Sequence, residues 1–143
     1  MAHAEHTVTV ERPIEEVFAY VADGRNNQRW RSGVLEIERT SAADGEGATY
    51  RQVLQGPAGR RIAGDYRVTA YEPPTRLDFA VTAGPARPTG RFQLSPAGPG
   101  RTTVVFSLDL QPGGLMRVVS GLIAKQMRAE VAALDRLKAD LER

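Results

Sequence analysis

The sequence predicts an α+β fold: a seven-stranded antiparallel sheet wrapped around one long C-terminal helix, with two short helices after the first strand. Two observations lead there. The first is an apolar stripe near the C-terminus: Met116, Val119, Ile123, Met127, Val131, Leu134, Leu137 and Leu141. These positions step by three and four, the period of one helical face. They predict a single helix over Gly114 to Glu142, which at ~1.5 Å per residue is about 40 Å long. The second observation is what precedes it. Short segments alternate apolar and polar residues and are separated by Gly/Pro turns, the pattern of strands joined as antiparallel neighbours. A helix that long, with no strand after it, needs a broad curved sheet to cover its apolar side.

The elements follow in order. Thr7 to Glu11 alternates as a strand, and Arg12-Pro13 ends it. Proline suits a helix start, and Glu15 and Glu16 suit the positive end of the helix dipole. Ile14, Val17, Phe18 and Val21 then recur at helical spacing up to Asp23-Gly24. Arg25 to Trp30 forms a second short helix or turn. Six strands come next: Val34–Thr40, Ala48–Gln55, Arg61–Tyr71, Arg76–Ala83, Gly90–Ser95 and Arg101–Leu110. The intervening Asp44-Gly45-Glu46-Gly47, Gly56-Pro57-Ala58-Gly59, Glu72-Pro73-Pro74-Thr75, Gly84–Pro88 and Pro96–Gly100 carry turn chemistry. Pro112-Gly113-Gly114 releases the chain into the last helix. Its weak point is Gly121, which costs about 1 kcal/mol relative to alanine in a helix interior.

Totals narrow the class. At 143 residues the chain fits one domain over 1–143, large enough to bury a proper core. Hydrophobic residues make up 41% and charged residues 25%, ordinary globular values that exclude a disordered chain. With no cysteine, disulfide and thiolate chemistry are out. Residues 1–6 lack the apolar core of a signal peptide, and no apolar run approaches the ~20 residues of a membrane span. The expectation is a cytoplasmic protein without a membrane span. Net charge is +2, and the arginines are interleaved with acids rather than clustered, so no nucleic-acid partner is expected.

Several segments resemble the Bet v 1-like, START-related (SRPBCC) superfamily, in its bacterial polyketide cyclase/dehydrase subgroup. Val10-Glu11-Arg12-Pro13-Ile14-Glu15-Glu16-Val17-Phe18 resembles the family's opening strand and proline-started helix. Asp23 through Trp30 resembles the segment that follows. Gly45-Glu46-Gly47-Ala48 resembles the turn before the third strand, and Tyr71 through Leu77 resembles the Pro-Pro turn. The resemblance spans essentially the whole chain. It implies a helix-grip fold with a hydrophobic cavity between sheet and helix. It leaves function open, because the family mixes lipid carriers, receptors and cyclases.

Absences restrict the chemistry. The two histidines, His3 and His6, fall in a stretch expected to be a solvated tail, which leaves no Ser-His-Asp site and no metal site. No phosphate-binding loop or dinucleotide fingerprint occurs, so no cofactor and no catalytic residue is expected. The remaining candidate is the cavity. Strand parity turns Leu35, Ile37, Tyr50, Leu54, Tyr66, Phe79, Phe92, Phe106 and Leu108 toward the helix, and Met116, Val119, Ile123 and Met127 face back. Gln52 shares the parity of Tyr50, although Val53 blurs that strand. Trp30 is either a stacking wall at the cavity mouth or the anchor of the second short helix. Arg39 has inward parity at a strand end and is the expected cation at the rim. The same residues equally describe an ordinary core. Asp65, Arg67, Asp78, Arg91 and Asp109 fall on the wet face.

Three functions fit. The first is a module that binds or carries a small hydrophobic molecule: a lipid, a polyketide or another aromatic. The second is a polyketide cyclase/aromatase-type enzyme that works by orientation. The third is a partner-binding dimer formed through a sheet edge. A monomer and a homodimer are both compatible with the sequence.

Overall fold

Alternation over the strand segments translates directly into a curled antiparallel sheet. The computed structural model describes residues 2–84, 86–111 and 120–143, with the side chains of Pro57 and residues 120–123 left aside. The strands are β1 (Ala2–Val10), β2 (Val34–Arg39), β3 (Thr49–Gln55), β4 (Arg61–Ala63), β5 (Tyr66–Glu72), β6 (Arg76–Val81), β7 (Thr89–Gly98) and β8 (Arg101–Leu110). The helices are α1 (Ile14–Ala22), α2 (Asn27–Trp30), α3 (Ser120–Ala132) and α4 (Leu134–Leu141). The sheet runs β1-β8-β7-β6-β5-β3-β2, with β4 beside β3. All the strand pairs are antiparallel. This is the helix-grip arrangement. β1 crosses to the far edge to pair with β8, and the C-terminal helix lies over β1 and β8.

Three details depart from the sequence reading. β1 begins at Ala2, so the expected tail is strand; His3 and His6 sit opposite Asp109 and Phe106 of β8. The single strand expected over Arg61–Tyr71 is two, which makes eight strands among the described residues instead of seven. The break falls at Gly64-Asp65, where the Asp65 carboxylate accepts from the Gln52 backbone N–H at 3.3 Å in place of a ladder carbonyl. Leu35 does not join the dry face. A bulge between Val34 and Glu36 gives β2 one extra residue, which resets the alternation. Val34 takes the buried place, 3% exposed.

The expected long helix is present from Ser120 as α3 and α4, tightened at one point. Ala133 keeps helical angles (φ −61°, ψ −12°), and its N–H donates to Glu130 O, three residues back, at 3.2 Å. Gly121, the expected weak point, lies inside α3. The expected start over Gly114 to Val119 lies outside the described residues. Met127, Val131, Leu134 and Leu137 of the stripe are buried. They meet Val10, Val104, Phe106 and Leu108 of the sheet, with Val17, Phe18 and Val21 of α1, in one core. Fully burying a side chain of this kind contributes roughly 1.5–3 kcal/mol. The outer sheet face is charged, and Arg76 (2.7 Å) and Arg91 (2.9 Å) both pair with Asp78.

Candidate functional site

The dry face carries a row of aromatic rings because β3, β5, β6, β7 and β8 each place one there by alternation. Tyr50 (β3) stacks on Tyr66 (β5), with centroids 4.9 Å apart. Tyr66 meets Phe79 (β6) at 5.3 Å, and Phe79 meets Phe92 (β7) at 6.1 Å. Phe92 stacks on Phe106 (β8) at 4.3 Å. Trp30 of α2 stands edge-on to Phe92 (6.0 Å) and Phe106 (5.8 Å). The row can form because Gly90, paired with Phe79 across the ladder, leaves that ring room. A Cβ at Gly90 would stand 2.2 Å from the Phe79 ring.

A buried polar cluster closes the Tyr66 end. The Asn27 side-chain amide donates to Tyr66 OH (3.1 Å) and Gln52 Oε1 (3.3 Å). Gln52 Nε2 donates to Gly64 O at 3.2 Å, and the Gly24 N–H donates to the Tyr50 hydroxyl at 3.2 Å. Gly24 must be glycine for this approach, since a Cβ there would lie 2.1 Å from the Tyr66 hydroxyl. Burial, then the neighbouring Tyr50, pushes the Tyr66 phenol pKa up. Tyr66 therefore stays protonated: its oxygen accepts from Asn27 and its O–H hydrogen remains to be donated.

Arg31 follows α2 and is only 6% exposed. Its Nε (3.0 Å) and Nη2 (2.6 Å) both donate to Glu130 Oε2 on α3. The guanidinium carbon lies 5.8 Å from the Trp30 ring and 5.9 Å from the Phe106 ring. Val21, Ala22, Asn27, Arg31, Tyr66, Val68, Leu77, Phe79 and Phe92 line a hollow of about 10 Å³. That is room for about one water molecule.

Of the expected site residues, Tyr66, Phe79 and Phe92 line this hollow. Tyr50, Gln52, Phe106, Leu108 and Met127 are buried, and Ile37 is partly buried, but none borders it. Trp30 is 1% exposed, so it sits in the core and not at a mouth; its Nε1 has no hydrogen-bond partner among the described residues. Met116 and Val119 lie outside the described residues, as does the Ile123 side chain. Arg39 shares the parity of Tyr50, but it pairs with Asp44. The interior arginine is Arg31, which the sequence reading missed along with Asn27. One signal was present: Asn27 and Arg31 stand four residues apart, about one helical turn, on either side of Trp30.

Among the described residues no group of three or more metal-ligating side chains converges, and no helix is long and apolar enough to cross a membrane. The two histidines bind acids. His3 Nδ1 lies 2.6 Å from Asp109 Oδ1, and His6 Nε2 lies 2.9 Å from Asp135 Oδ1.

A helix packed across a curled antiparallel sheet whose inner face is aromatic is the helix-grip class of domain. The sequence model of the family described as "Polyketide cyclase / dehydrase and lipid transport" matches residues 1–142, and the chain belongs to that family. Solved structures share the fold. A START superfamily protein from Mycobacterium smegmatis is 18% identical with a TM-score of 0.74, covering 99% of each chain. The Zhui aromatase/cyclase from Streptomyces sp. R1128 is 19% identical at 0.74, covering 99% of this chain and 93% of that one. A protein from Thermus thermophilus, TTHA0849, is 19% identical at 0.73, covering 96% of this chain and 98% of that one. No curated protein sequence matches the chain.

Proposed function

We propose that this chain is a single cytoplasmic domain that binds a small hydrophobic molecule, a lipid, polyketide or other aromatic, between the sheet and the C-terminal helix. The observation that carries the reading is the aromatic row from Phe106 to Tyr50, ending in the buried donors of Asn27, Tyr66 and Arg31. A core built only for stability gains little from a buried arginine and two buried amides. A ligand site needs this combination of apolar wall and a few placed polar groups. The ligand extends from the hollow along the row, with Ile37, Leu108, Met127 and Trp30 as surrounding wall. Drug-sized ligands occupy roughly 300–1,000 Å³, so binding widens the hollow at the expense of ring-to-ring contacts.

A cyclase/aromatase-type activity is the second reading. The Zhui protein, an aromatase/cyclase by name, shares the fold, and Tyr66, Asn27 and Arg31 are donors that could orient a ketone oxygen. Enolisation also needs a base. Among the described residues, those lining the hollow include no carboxylate or imidazole, so binding stands ahead of catalysis.

The test is a melting-temperature screen of fatty acids, flavonoids, quinones and polycyclic aromatics. A ligand that binds only the folded state stabilises it by about 2.7 kcal/mol at one hundred times its Kd. For this chain length that is a shift on the order of 5–15 °C. Phe79→Arg, which puts an unpaired charge beside the hollow, should abolish the shifts. A flat response to every class removes the binding reading and leaves partner binding through a sheet edge ahead.

A further inference from the structure

Arg31 lines the hollow and is paired, on its far side, with Glu130, which does not border it. Both described donors of Arg31 converge on one carboxylate oxygen. The Glu130 side chain is 16% exposed and the Arg31 side chain 6%. The other oxygen, Glu130 Oε1, occupies the place a side chain at residue 33 would take, 2.9 Å from a Cβ built on Gly33. Nη1 of Arg31 has no partner among the described residues. Arg31 also lines the hollow beside Asn27 and Tyr66. The polar end of the site is therefore rich in donors yet carries no net charge.

From this we infer that the pair acts as a charge filter, making the site selective for neutral carbonyl-bearing apolar molecules over carboxylates. The inference rests on the binding reading above. A carbonyl oxygen accepts from the remaining Arg31 N–H or from the Tyr66 O–H, whose oxygen already accepts from Asn27, without disturbing the ion pair. A carboxylate must be desolvated and must also approach Glu130, whose like charge disfavours it where solvent screens little. Arg31 cannot repay that cost in full, because its charge is already matched.

Two flat probes of equal size separate the cases: 2-acetylnaphthalene, a neutral ketone, and 2-naphthoate, its carboxylate counterpart. Calorimetric titration at pH 7.5 should give a ketone Kd at least about tenfold lower than that of the acid. Glu130→Gln leaves Arg31 uncompensated and should move the ratio of the two Kd values at least tenfold toward the acid. Should that variant lose its cooperative melt, the double variant Arg31→Met/Glu130→Met serves, since apolar replacement of a buried pair is often tolerated. It should weaken the ketone about tenfold and still reject the acid. Equal or tighter binding of the acid to the native protein, an unmoved ratio in Glu130→Gln, or an unchanged ketone affinity in the double variant overturns the filter. In those cases the binding reading survives. No heat from either probe, together with a flat melting screen, brings down both.

Discussion

The Asn27 side-chain amide lies 3.1 Å from the Tyr66 hydroxyl and 3.3 Å from Gln52 Oε1, joining α2 to two strands inside the core. Because both acceptors are buried, Asn27→Ala leaves a polar atom without its partner. The expected cost is about 1–3 kcal/mol, read from urea unfolding. Tyr66→Phe removes only one of the Asn27 bonds and should cost less, about 0.5–1.5 kcal/mol.

Gly24→Ala forces a Cβ within 2.1 Å of the Tyr66 hydroxyl and 2.8 Å of the Tyr50 ring. Overpacking of this kind costs typically 1–3 kcal/mol. The stacked tyrosines must shift, so the near-ultraviolet circular dichroism should change as well. An unchanged spectrum at unchanged stability would mean that the close approach is not a feature of the folded protein.

Phe106 and Phe79 differ in what surrounds them. Phe106 is fully buried and does not border the hollow, whereas Phe79 does. Phe106→Ala should cost the roughly 3–5 kcal/mol of a well-packed truncation. Phe79→Ala should cost less, since fewer contacts are lost on an open side. Equal costs would argue that the hollow is too small to matter.

The His3 pair gives a pH dependence with a definite sign. The hydrogen bond to Asp109 leads in raising the His3 pKa above its ordinary 6.5. The pair's contribution is therefore complete below the unfolded value and fades as pH rises through the folded one. The pair is exposed and screened, so its size is at most about 1 kcal/mol. Melting temperatures of the native protein and His3→Gln should differ more at pH 5.5 than at pH 8.5.

Much of the fold was legible because alternation is a local signal. Phe92 and Leu94, or Val104, Phe106 and Leu108, declare a dry face by spacing alone, and the α3–α4 stripe declares a helix. What was missed depends on partners distant in sequence. Nothing local told that Asp65 would replace a ladder carbonyl for Gln52, splitting a strand, or that a bulge would turn Leu35 away. The aromatic half of the site was visible in the same alternation. Its polar half was not, because Arg31 finds Glu130 at a separation of 99 residues. A short helix of two turns or fewer carries too little periodicity to show which of its polar residues turn inward.

The central claim is that the aromatic row and its donor cluster hold a ligand. Native mass spectrometry tests it most directly, with the protein as purified and after incubation with the screening panel. The account predicts a one-to-one adduct with an apolar, oxygen-bearing molecule, retained by the native protein and lost in Phe79→Arg. A spectrum that shows only the bare chain across the whole panel, or an adduct that persists unchanged in Phe79→Arg, would contradict it.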